Sequence, residues 1–122
     1  ESVASTFQLK QAGLLATSIR STDGLVVLAG SHATKELSSS LSNGYRAIRD
    51  TLINAGTLVD EGNYLKFSKD HAFPSPSQAA AIILGYMVNG RILWKTEAGT
   101  TFAQIEEGEA GVLDERRQPE TV

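Results

Sequence analysis

Cysteine is absent from the 122-residue chain. Its absence excludes disulfides, thiolate metal sites and a cysteine nucleophile, and it fits a cytoplasmic protein. Histidine occurs only as His32 and His71. Neither belongs to a spaced ligand set, and zinc would need distant carboxylates to complete its shell, so no metal and no cofactor is expected. No apolar run approaches the roughly 20 residues of a membrane span, so no membrane contact is expected either. The longest candidate, residues 79–88, is interrupted by a glycine. The first five residues, ESVAS, lack the basic and apolar stretches of a secretory signal. A chain that opens on Glu1 and holds its only methionine at Met87 reads as part of a longer or processed polypeptide.

What is present fits one domain with an ordinary apolar fraction of 41%. The net charge of −3 conceals an asymmetry. Residues 1–96 carry nine basic against seven acidic side chains, while residues 97–122 carry seven acidic ones against Arg116 and Arg117. The acidic end also holds Gly108, Gly111 and Pro119, so residues 107–122 are expected to form a solvated, flexible tail on a single domain spanning 1–106. The mildly basic body leaves a nucleic-acid partner open.

Alternation over TFQLK (6–10) and LLATSIRS (14–21), then Asp-Gly before LVVLAG (25–30), predicts a three-stranded antiparallel meander. The serine-rich stretch 31–44 reads as a loop or a poorly ordered connection. Residues 45–56 have helical period, with Tyr45, Ile48, Leu52 and Ile53 on one face. Ser42 or Asn43 is placed to cap the start, and Gly56 the end. A hairpin over 57–67 turns at Glu61-Gly62-Asn63. Ser75-Pro76-Ser77-Gln78 fits a capping box with proline at the first helical position. It opens a buried, alanine-rich helix running to about Val88, and Arg91 to Lys95 reads as a closing strand with Ile92 and Trp94 on one side. The expected class is α+β: meander, helix, hairpin, buried helix, strand.

No catalytic constellation stands out. Ser31 and His32 are adjacent, which rarely places a nucleophile against its base, and no orienting acid is marked. Gly30-Ser31 lacks the second glycine of a phosphate loop. Asp60-Glu61 and Glu106-Glu107 read as solvated charges. The side chains with the chemistry of a phosphate-contacting surface are Ser31, His32 and Lys35, the pair Arg46 and Arg49 on one helix face, and Arg91, Trp94 and Lys95. Spacing alone does not bring them together.

Four stretches carry a resemblance: GLVVLAGSHA (24–33), YRAIRDTLINAGTLV (45–59), YLKFSKDHAFPSPSQAAAIILG (64–85) and NGRILWK (89–95). Over residues 7–106 the chain resembles a small domain of unknown function commonly appended C-terminally to GIY-YIG endonuclease domains and to restriction-modification proteins. It is distantly similar to the RAMA module, which is suspected of reading modified DNA. The matching positions are Gly30, Ser31, Arg49, Leu52, Ser75, Pro76, Ser77, Ala80, Gly85, Asn89, Gly90, Trp94 and Lys95. Arg91 departs from the pattern, which has tryptophan after Asn-Gly. The resemblance implies a non-catalytic accessory domain that helps a nuclease or restriction-type protein hold double-stranded DNA. A protein-interaction or dimerisation module without nucleic-acid contact is the alternative, favoured by an exposed apolar patch and no basic face. An enzyme with an unrecognised site ranks behind both.

Overall fold

The computed structural model describes residues 6–22 and 24–108. Strands β1 (Thr6–Gln11), β2 (Leu14–Ser21) and β3 (Gly24–Val27) form the expected meander. The β1–β2 turn holds Ala12 at φ 54° and Gly13 at φ 80°. Two consecutive positive φ values make a turn whose twist matches that of the strands it joins. At the β2–β3 turn, Ser21 pairs with Gly24, and Asp23 of the Asp-Gly signal lies outside the described residues.

The sheet gains a fourth strand that the sequence did not announce. β7 (His71–Phe73) pairs antiparallel with β3, giving the order β1-β2-β3-β7. Gly24 makes room for it: a Cβ there would stand 2.2 Å from the Phe73 carbonyl oxygen. A second sheet, ordered β4-β6-β5, holds β4 (His32–Ala33), β6 (Leu65–Phe67) and β5 (Leu58–Asp60). The expected hairpin at Gly62 is therefore present, but the stretch read as loop from residue 31 begins with a paired strand.

Helix α1 (Asn43–Asn54) is capped by Ser42, whose Oγ accepts from the Tyr45 amide at 3.2 Å. Helix α2 (Pro76–Leu84) begins as expected, with Ser75 Oγ accepting from the Gln78 amide at 3.0 Å and Pro76 in the first turn. It ends at Leu84, four residues short of Val88, because Gly85 turns left-handed at φ 84°. Segment 34–38 crosses that end so closely that a Cβ on Gly85 would come 2.4 Å from the Glu36 carbonyl oxygen.

The predicted closing strand is corrected. Residues 90–93 form a short helix, α3 (Gly90–Leu93), with Asn89 Oδ1 accepting from the Arg91 amide at 3.1 Å. Only Lys95 pairs in strand fashion, with Gln8 on one side and Thr101 on the other. Asn-Gly caps and opens a helical turn here, so the alternation of Ile92 and Trp94 carries no strand. Residues 102–108 are helical, which takes regular structure past the expected boundary at 106; residues 109–122 lie outside the described ones.

The class is α+β. The core joins Phe7, Leu9, Leu25 and Val27 of the larger sheet to Leu65 and Phe67 of the smaller. Leu52 of α1, Ile82 and Ile83 of α2, Trp94 and Phe102 complete it. Helix α2 runs through the middle and touches α1, α3, β3, β4 and β7. Ala79 and Ala80 keep it slim enough to do so. Among the described residues, no helix is long and apolar enough to cross a membrane.

Ala12 is exposed, and an L side chain in the left-handed region costs roughly 1–2 kcal/mol. Ala12→Asn creates the Asn-Gly pair that this turn favours. It is expected to raise the urea midpoint by the equivalent of about 0.5–1 kcal/mol at unchanged m-value.

Candidate nucleic-acid interface

The eight candidate side chains lie in three separate places. The first is the junction of the two sheets. Beyond the Ser18–Val27 pair the Leu28 amide still donates to the Thr17 carbonyl at 2.8 Å, but β3 then leaves β2, whose side facing away from β1 has no further partner strand among the described residues. Side chains take the strand's place. Ser31 Oγ accepts from the Thr17 amide at 2.9 Å and donates to the Thr17 carbonyl at 3.2 Å. His32 Nδ1 accepts from the Leu15 amide at 3.2 Å, and its ring stacks on Tyr64 with centroids 4.0 Å apart. Ser31 is only 3% exposed. Both groups are committed to neighbouring backbone, so they do not form a nucleophile and base. Lys35 lies nearby, 3.0 Å from Asp60 Oδ2 and donating to the Gly62 carbonyl at 2.9 Å. The Gly62 amide and then Lys35 hold the Asp60 carboxyl below its usual pKa.

The second place is α1. Arg46 and Arg49 share a face as predicted, but the face turns inward. Arg46 Nη2 donates to the Ser38 carbonyl at 2.6 Å and Nε to the Leu41 carbonyl at 3.1 Å, fastening segment 38–41. Arg49 is 3% exposed and donates to the Ile82 carbonyl at 3.2 Å. Ile82 lies in the last turn of α2, where carbonyls lack helical partners and the macrodipole favours a cation. The Thr34 and Ser38 amides take the Ile83 and Gly85 carbonyls of the same end, at 2.7 and 2.8 Å. Burial pulls the Arg49 pKa below its ordinary value, with Asp50 opposing.

The third place is the start of α2 and the segment packed on it. Trp94 is fully buried, and its indole Nε1 donates to the Pro76 carbonyl at 3.1 Å. It offers no surface to a base. Ser77 Oγ accepts from the Gly90 amide at 2.9 Å, and a Cβ on Gly90 would stand 2.1 Å from the Pro76 carbonyl oxygen. Arg91 is paired with Glu106, its Nη2 2.7 Å from Oε1. Lys95 joins β1 through its backbone, exchanging bonds of 2.7 and 3.0 Å with Gln8.

The family model of DUF4357, a domain of unknown function, matches residues 7–106. The chain belongs to this family. No curated protein and no solved structure matches it. In this DUF4357 domain, Ser75, Pro76, Ser77, Asn89, Gly90 and Trp94 build one internal joint, and Ser31 and Arg49 build two others.

One exposed feature escaped the sequence reading. An open groove of about 360 Å³ runs along the β1 edge, lined by Gln8, Lys10, Gln11, Lys95, Thr96 and Glu97, among others. Lys10 and Lys95 have no ion-pair partner among the described residues, whereas Lys35, Lys66 and Arg91 do. The alternation of Gln8 with Lys10 was legible, but their pairing with Lys95 is a tertiary event. Among the described residues, no group of three His, Asp or Glu is placed to hold a metal.

Arg49→Ala leaves the last turn of α2 without its charged donor. It is expected to cost about 2–3 kcal/mol in urea unfolding, and Arg46→Ala less. His71 supplies a pH test. Burial, then Lys69, pulls its pKa below 6.5. On acidification the unfolded chain therefore takes up the proton first, so stability is full above 6.5 and falls as pH drops below it. The Tm advantage of the wild type over His71→Gln is expected to shrink between pH 8 and pH 5.5.

Proposed function

We propose that this DUF4357 domain is a non-catalytic accessory module that helps an attached nuclease or restriction-type protein of the cytoplasm hold duplex DNA. We place the contact at the Lys10–Lys95 groove. The observation that supports this reading is the pair of lysines without an ion-pair partner among the described residues, set on one face beside amide and hydroxyl groups in a groove that Glu97 also lines. Lys95 lies opposite Gln8 and Thr101, and Gln8 lies opposite Thr17, so the row Thr101–Lys95–Gln8–Thr17 shares a face with Lys10. Ammonium, amide and hydroxyl groups are what meets phosphate oxygens, and such contacts position a protein without reading sequence. The link to nucleases rests on the resemblance of the Ser-Pro-Ser, Asn-Gly and Trp-Lys pattern. Because Trp94 is internal, a preference for modified bases would have to come from elsewhere on the surface.

A protein-interaction module is the second reading, and one observation favours it. Thr6, Ile19, Val26 and Ala72 stand in register across all four strands of the larger sheet, on its outer face. Ile19 and Val26 are half-buried and Ala72 is exposed.

Fluorescence anisotropy of the 122-residue chain with short duplexes, unmodified and adenine-methylated, separates the two. Two phosphate contacts predict a slope of log K against log salt of about −2. Lys10→Glu with Lys95→Glu is expected to abolish binding, whereas Arg46→Ala leaves it unchanged. Methylation preference adds support to the RAMA-like part of the reading. Absence of binding to either duplex at low salt overturns the DNA reading and leaves the sheet-face reading.

A further inference from the structure

Asparagine followed by glycine occurs twice, at Asn43-Gly44 and Asn89-Gly90, and the fold treats the two pairs in opposite ways. Glycine after asparagine leaves its own nitrogen free of a side chain that would hinder it from reaching the preceding carboxamide. At Asn89-Gly90 the groups that such a reaction uses are engaged. The Gly90 amide donates to Ser77 Oγ at 2.9 Å, and Asn89 Oδ1 accepts from the Arg91 amide at 3.1 Å. Gly90 is buried, and a Cβ on it would stand 2.1 Å from the Pro76 carbonyl oxygen, so its backbone has little room to swing. At Asn43-Gly44 the same groups are open. Both residues are exposed, and a Cβ on Gly44 would meet nothing within 4 Å. Ser42 Oγ takes the Tyr45 amide and leaves that of Gly44 without a partner among the described residues.

We propose that Asn43 is a deamidation site of the folded domain, and that the Ser77–Gly90 joint withholds the same reaction from Asn89. The Gly44 nitrogen, giving its proton to solvent base, attacks the carbon of the Asn43 carboxamide. The new bond closes a five-membered succinimide as the bond to the side-chain nitrogen breaks, and that nitrogen leaves as ammonia. Water then opens either carbonyl of the ring and gives aspartate or isoaspartate, with no change of oxidation state. Ring closure takes the backbone out of its folded geometry, so its rate follows the cost of local opening. Asn43 opens by fraying the end of a helix. Asn89 opens only by breaking the Ser77 and Arg91 bonds and lifting Gly90 off Pro76, beside buried Trp94. The product puts a carboxylate into a first turn of α1 that holds none, and its isoaspartate form lengthens the main chain beside the Ser42 cap.

The test is incubation of the 122-residue chain at pH 8 and 37 °C, with proteolytic peptides mapped by mass over time. In the folded chain Asn43 is expected to convert about tenfold faster than Asn89, the factor of two extra hydrogen bonds that must open. In guanidinium chloride the two pairs are expected to convert at similar rates, because only the fold distinguishes them. Ser77→Ala is expected to speed Asn89 about fivefold and leave Asn43 unchanged, with far-UV circular dichroism checking its fold. Asn43→Gln, which leaves the Ser77 joint untouched, is expected to remove most of the mass gain of the folded chain. Equal rates in the folded chain overturn the proposal. So does an Asn43 that stays intact while the denatured chain converts, or an Asn89 rate that Ser77→Ala does not move.

Discussion

The hydrogen bond from the Trp94 indole to the Pro76 carbonyl, with the backbone contact of Gly90 beside it, is the constraint on which the rest of the domain leans. Pro76 starts α2 and Trp94 follows α3, so the joint fixes where the chain re-enters the core after the central helix. From there Lys95 reaches the β1 edge and pairs with Gln8, and Phe102 closes over Phe7 with ring centroids 5.1 Å apart. A buried indole needs an acceptor for its N–H, and a helix starting with proline supplies a carbonyl that neighbouring glycine can approach. Serine at position 77, proline at 76 and glycine at 90 are thus one requirement expressed at three places.

The far end of α2 has the opposite need. Its last carbonyls are buried beneath segment 34–38 and α1, away from water. Backbone amides of Thr34 and Ser38 take two of them and the Arg49 guanidinium a third. A cation suits a helix C-terminus, and its N–H groups satisfy acceptors that would otherwise be costly to bury. Two of the best-looking phosphate ligands in the sequence, Arg46 and Arg49, are therefore internal donors. Ser18 is the exception to this thrift: its Oγ is buried in the sheet and meets no partner among the described residues.

What remains on the surface is sparse and divided. Polar and basic groups, Lys95, Gln8 and Lys10, occupy the β1 edge. The row of Ile19, Val26 and Ala72 occupies the middle of the same outer face. Arg20 and Arg91 belong to a different opening at the start of α2. Among the described residues the candidate contacts are few enough to be separated by substitution.

The sequence by itself determined the elements whose causes are local. Alternation fixed the meander, Ser42 and Ser75 fixed where two helices start, and glycine fixed the ends at Gly56, Gly62 and Gly24. It misread residues 90–95, because Asn-Gly can close a helix as readily as open one and only packing on Pro76 selects the second. It missed β7, three residues whose pairing with β3 spans more than forty positions. For the candidate site it supplied residue types but not directions. Whether an arginine faces water or a buried carbonyl depends on which helix end lies next to it. Whether a serine is available depends on whether a neighbouring strand has stopped short. The tertiary structure alone decided those matters, because a side chain's hydrogen bonds are set by what is near in space.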